Sequence, residues 1–134
     1  MRKNNVSGHK SDDAKVRLEL LPPDALVEIG KVLTLGALKY GDRNWERGIA
    51  CSRVHGALLR HSLAWFGGED ADPETGLSHM AHCAANALFL LSYELRQFRK
   101  LDDRPRSSSA RSPLSLRGAK RRGNLSLSRP GAKL

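Results

Sequence analysis

Four of the protein's five histidines fall between Arg53 and Asn86, in the run RVHGALLRHSLAWFGGEDADPETGLSHMAHCAAN. The same run carries Glu69, Asp70, Asp72 and Glu74 in a segment bounded by glycine and proline. Imidazole and carboxylate together suit divalent ions such as Mn, Fe, Co or Zn, whereas Mg prefers carboxylates and water. His79, His82 and Asn86 stand at i, i+3 and i+7, one stripe of a helix. His61 comes late in the preceding apolar-periodic segment, so two helices and their connecting loop can converge on one cation. The acids supply either further ligands or a base for water. A lone histidine is most often a cap or a surface residue; three imidazoles and four acids within 22 residues favour a site.

Lys15, Lys39, Arg43, Arg53 and Arg60 lie near the segment ends that would face this region. A metal flanked by basic side chains is equipment for a phosphate-bearing substrate, whose oxygens need neutralising as charge develops. No G-x-x-x-x-G-K-[ST] loop is present, which excludes a P-loop enzyme. Serine or cysteine nucleophile arrangements have no support. Cys51 and Cys83 form no C-x-x-C pair, and Cys83 reads as a small buried thiol.

These residues need elements to position them. After a polar N-terminus, Val16, Leu18 and Leu20 alternate with polar residues and predict a short extended arm ending at Pro22-Pro23. The prolines and Asp24 open a first helix, with Leu26, Val27, Ile29, Val32, Leu33, Ala37 and Leu38 as its apolar face, to about Tyr40. Gly41 ends it, and GDRNWERGI follows as a turn-rich loop whose Trp45 is either a plug over the core or a pocket wall. Ser52 is the expected N-cap of a second helix to about Phe66, with Val54, Ala57, Leu58, His61 and Trp65 on one face. Ser78 or Thr75 caps a third, from about Leu77 to Lys100, with Ala84, Leu88, Leu91 and Leu95 as its apolar stripe. The fold class is therefore all-α: a small bundle of three main helices.

The net charge of +9 is unevenly spread. Residues 104–134 hold nine Lys or Arg and no acid, whereas residues 1–103 hold 14 basic and 14 acidic residues. This predicts a helical domain over 12–101 and a disordered basic tail over 102–134, too polar to offset its ordering entropy. The tail is either functional or a reading frame continued past an earlier natural stop; nucleic acid is a partner only through it. No apolar run approaches the roughly 18–20 residues of a membrane span, and MRKNNVSGHKSDD has no apolar leader core. A reducing cytoplasm is the expected compartment.

The segments KVRLELLPPDAL, VLTLGALKYGDRNW and LLRHSLAWFGGEDADPETGLSHMAHCAANALFLL resemble the dATP/dGTP diphosphohydrolase N-terminal family, frequent in phages and prophages and related to MazG-like all-α pyrophosphohydrolases. The resemblance covers about residues 12–95. It implies a MazG-like bundle that hydrolyses purine deoxynucleoside triphosphates to monophosphate and pyrophosphate with a divalent metal. MazG-like enzymes hold Mg through E-x-x-E and E-x-x-D helix motifs; here Arg60-His61 and His79-x-x-His82 stand on those faces, so that ligand set does not transfer. Read from the residues, the expected ligands of a Mg, Mn or Co ion are His61, Glu69, Asp72, His79 and His82. Glu74 is the expected base, activating water against the α-phosphorus. Lys39, Arg43 and Arg60 would neutralise phosphates, Tyr40, Asn44 and Trp45 would hold the base, and Asn86 would orient a ligand or the substrate.

Two other readings compete with a hydrolase: a nucleotide- or nucleic-acid-binding accessory protein, and a helical protein whose histidines are incidental. Three helices give a thin core for about 90 ordered residues, so a homo-oligomer, a dimer or tetramer completing a four-helix arrangement, is expected.

Overall fold

The computed structural model describes residues 8, 10, 11 and 13–107. The chain divides into two units, 1–102 and 103–134; the expected tail lies almost wholly outside the described residues. Three helices account for the first unit: α1 (Pro23–Tyr40), α2 (Cys51–Phe66) and α3 (His79–Leu95). Among the described residues the only β pairing is a single bridge between Ala71 and Ser78. The arm before α1 carries one 3-10 turn, Leu18–Leu20, and is exposed.

α1 begins where the sequence places it, since Pro23 stands in the first turn and its missing N–H costs nothing there. It stops at Gly41, whose φ of 89° few side chains tolerate and whose N–H bonds to Ala37 O at 2.8 Å. α2 starts earlier than the expected Ser52 cap. Ala50 is the N-cap, its carbonyl already accepting from Arg53 and Val54 at 3.0 and 3.2 Å, which leaves Ser52 inside the first turn. Ser78 does cap α3, its hydroxyl accepting from Met80 N–H at 3.1 Å.

α3 is shorter than its apolar pattern predicts. It ends at Leu95, Gln97 turns left-handed at φ 57°, and Phe98 N–H returns to Tyr93 O at 3.0 Å before a 3-10 turn at Arg99–Leu101. No glycine announces this stop. Just ahead of α2, Gly48 has φ 98°, and a Cβ there would meet the Leu101 side chain at 3.0 Å. Only glycine suits both demands.

α2 and α3 form the main interface, and α1 makes a smaller one with α3. The core is narrow: Val54 from α2, and Ala81, Cys83, Ala85 and Tyr93 from α3, with His79 the one buried polar side chain among the described residues. Small residues at this seam let the two helices approach closely. The expected α3 stripe is thereby corrected: Leu88, Leu91 and Leu95 are exposed and the neighbouring Ala/Cys face is buried. α3 is apolar nearly all round, so periodicity does not distinguish the covered face from the open one. α1 buries no residue; Ile29, Val32 and Ala37 are half-covered, whereas Leu26, Val27, Leu33 and Leu38 are exposed. On α2, Trp65 is likewise exposed.

Trp45 acts as a plug at the far end of α3. Its ring stacks on Phe89 with centroids 5.2 Å apart, Tyr93 lies at 6.2 Å, and the Arg96 guanidinium carbon sits 4.8 Å from its centroid. The Tyr93 hydroxyl donates to Trp45 O at 2.6 Å. Burial pushes that phenol's pKa up, partly opposed by a backbone hydrogen bond from Ile49. No helix is long and apolar enough to cross a membrane, among the described residues.

Candidate metal centre

The residues linking α2 to α3 form a pinched loop. Glu69 N–H bonds back to Ala64 O at 3.0 Å; Asp72 N–H reaches Leu77 O at 2.8 Å and Gly76 N–H reaches Asp72 O at 2.7 Å. His79 N–H bonds to Asp70 O at 3.1 Å. Gly76 takes φ 70° at the return. The loop is thus tied at both ends to the helices it joins, and Glu69 and Asp72 lie beside the histidines of the first turn of α3.

Two hydrogen-bonded chains run through the cluster. In the first, His61 Nδ1 and His79 Nδ1 face each other at 2.9 Å, and His79 Nε2 lies 2.9 Å from Glu69 Oε1. In the second, His82 Nε2 lies 2.8 Å from Thr75 Oγ1, which is 2.9 Å from Asp72 Oδ2. The Thr75 N–H also donates to Asp72 Oδ2 at 3.2 Å, an Asx-type turn. The chains meet at the stacked rings of His61 and His82, 4.3 Å apart and 7° from parallel.

His61, Asp72 and His79 each offer a ligand atom, and these atoms all lie within 4.8 Å of one another. Two imidazoles and a carboxylate are an ordinary donor set for a borderline divalent cation. The 2.9 Å contact between His61 Nδ1 and His79 Nδ1 is the length of an N–H···N hydrogen bond, and it is the closeness of the three donors, two imidazoles and a carboxylate, that fits a metal. Glu69 and His82 occupy different places from those three: Glu69 lies behind His79, and His82 Nε2 is 3.8 Å from Asp72 Oδ2 and turned to Thr75.

Burial is the main cause lowering the pKa of both His61 and His82. For His61 the neighbouring His82 lowers it further, while Asp72 opposes the shift in both rings. Burial would raise Asp72, but the hydroxyl and backbone N–H of Thr75, with His82 and His61, hold its carboxyl below the ordinary value. Neutral imidazoles beside an ionised carboxylate are the protonation states that bind metal.

The remaining expected site residues divide by position. Glu74 is exposed and pairs with Lys39 at 3.1 Å, joining the end of α1 to the loop. Lys39 is raised, chiefly by a hydrogen bond with Tyr40 and then by Glu74. Asn86 Nδ2 donates to His82 O at 2.8 Å, along its own helix. Arg60 is exposed and lies back over Gly56. Arg43 pairs with Glu46 at 3.2 Å, Asn44 is half-buried, Tyr40 is exposed, and Trp45 belongs to the plug. Thr75 is the functional candidate that the sequence reading used only as a cap; the D-x-x-T spacing was its signal.

A tight helical hairpin carrying an imidazole–carboxylate cluster at its connecting loop defines the class: a small all-α module with a candidate metal centre. The chain belongs to the dATP/dGTP diphosphohydrolase, N-terminal family, whose model matches residues 5–104. It is similar to a dATP/dGTP diphosphohydrolase of Salmonella phage PMBT28, 37% identical over 106 residues that cover 79% of this chain and 34% of the relative. The chain thus spans about a third of that relative's length. No solved structure matches it.

Proposed function

We propose that the protein hydrolyses purine deoxynucleoside triphosphates to the monophosphate and pyrophosphate, with a divalent cation at the α2–α3 loop. The observation that carries this is the convergence of His61, Asp72 and His79, in a chain whose family and phage relative both bear the name dATP/dGTP diphosphohydrolase. His61, Asp72 and His79 would hold the ion. When bound, it would supply Lewis-acid neutralisation of phosphate oxygens and a more acidic water.

The chain's own residues do the rest. Glu74 stands at the rim as a proton acceptor, and Lys39, paired with it at 3.1 Å, is a cation available to phosphate. Arg60 adds a second exposed positive charge on the α2 side. Asn86, anchored to its own helix, offers its amide oxygen to ligand or substrate. Tyr40 and Asn44 flank the α1 exit and would contact the base. Trp45 fits less well in that role, because its ring is already packed on Phe89, Tyr93 and Arg96.

The test is pyrophosphate release by the full chain from dATP, dGTP, dCTP and dTTP, with Mg, Mn or Co and with chelator. Purine-selective, chelator-sensitive release abolished by His79→Ala supports the reading. Silence with every metal, from a protein shown to be folded, refutes it for this chain.

A further inference from the structure

Four ring nitrogens in the cluster have a hydrogen-bond neighbour, and the neighbours' chemistry decides where the protons sit. Glu69 is a carboxylate with only lone pairs to offer, so at 2.9 Å the His79 Nε2 must donate to it. In the neutral ring this leaves a lone pair on His79 Nδ1. His61 Nδ1, 2.9 Å away, must therefore carry the proton between them. Thr75 has a single hydroxyl proton, and the Asp72 carboxylate at 2.9 Å takes it. Thr75 Oγ1 can then only accept from His82, so His82 is protonated on Nε2.

We propose that Glu69 and Thr75 are positioning residues that fix these protons, rather than metal ligands or catalytic groups. Glu69 turns the His79 Nδ1 lone pair toward His61 and Asp72. Thr75 holds Asp72 and turns His82 away, making His82 a ring wall stacked on His61. The metal part rests on the proposed function; the proton arrangement does not. A cation taken up by His61 and His79 would require the His61 proton to move from Nδ1 to Nε2 of the same ring, so that both imidazoles ligate neutral, and Glu69 would remain as the carboxylate behind a ligating imidazole, an arrangement that orients the ring and raises its basicity.

Two measurements separate the parts. Long-range ¹⁵N–¹H spectra of the metal-free chain at pH 8 should show His79 and His82 protonated at Nε2 and His61 at Nδ1. His61 protonated at Nε2, or His79 at Nδ1, overturns the assignment. Cobalt titration followed by calorimetry and visible absorption then tests the positioning. Glu69→Ala should weaken Co²⁺ by about 10–100-fold while keeping the shape of the absorption band. Thr75→Val should weaken it as well, and Thr75→Ser should restore it. An unchanged affinity in Glu69→Ala, or a band altered as by loss of a donor, overturns the positioning role. The predicted tautomers with no cobalt bound by the wild type would leave the proton arrangement standing and remove the metal reading.

Discussion

Tyr93→Phe separates the two roles open to the Trp45 loop. Tyr93 is 3% exposed, and its hydroxyl donates to Trp45 O at 2.6 Å while taking a backbone hydrogen bond from Ile49. The substitution removes one oxygen and leaves the ring on Trp45 and Phe98. A net hydrogen bond contributes about 0.5–1.5 kcal/mol, and a buried group left unpaired costs about 1–3 kcal/mol. With two backbone groups losing their partner, the expected loss is about 2 kcal/mol. In a domain of this size that lowers Tm by roughly 8–16 °C. Urea unfolding followed by tryptophan emission measures it. Tyr93 lies 14 residues along α3 from His79, about 21 Å at the helical rise, so turnover per folded molecule should be unchanged. A stability loss under about 0.5 kcal/mol together with a several-fold rise in KM for dGTP would refute the plug and make the Trp45 loop part of the nucleotide pocket.

Asp72→Asn should reduce metal affinity at least tenfold, read by the same cobalt titration, because it removes the one charged donor in the triad. Metal-free protein should lose stability as pH falls: His61 and His82 have folded-state pKa values below the ordinary 6.5, so the unfolded chain binds protons first. Their contribution is complete above about pH 6.5 and fades below it, and urea midpoints measured from pH 8 to 5 check this. The exposed Leu26, Val27, Leu33 and Leu38 of α1, with Leu63, Trp65 and Phe66 of α2, should be covered in a dimer or tetramer; a stable monomer by sedimentation would contradict that. DNA affinity, where found, should fall steeply with salt and vanish on removing residues 104–134.

How much of this was legible in the sequence depends on whether the deciding interaction was local. α1 was legible at both ends because Pro23 and Gly41 act through their own backbone. The start of α3 was legible because Ser78 bonds only two residues away. The end of α3 was not, since Gln97 adopts a left-handed turn that no glycine marks. The ligand types and the loop that carries them were readable from composition and spacing. Which acid lies in front of the histidines and which behind was not, because Glu69 and Asp72 differ by three residues in a non-helical loop whose path is set by the Ala71–Ser78 bridge. Thr75 reads from sequence only as a candidate cap for the same reason: its partners His82 and Asp72 come together only once the loop has closed.

A cation held at that loop would also tie its chemistry to the integrity of the fold. His61 and His79 stand on different helices, 18 residues apart, with Asp72 between them on the connection. One ion bonded to all three would be a removable cross-link closing a loop of that length. In the chain-entropy account of covalent cross-links, a closure of this size is worth about 3 kcal/mol. For a domain whose described core is Val54, Tyr93, two alanines and a cysteine, such a staple is a large share of the whole. Metal supply in the surrounding medium would then govern how long the protein stays folded as well as how fast it turns over, and chelation would shorten its lifetime before any substrate is met.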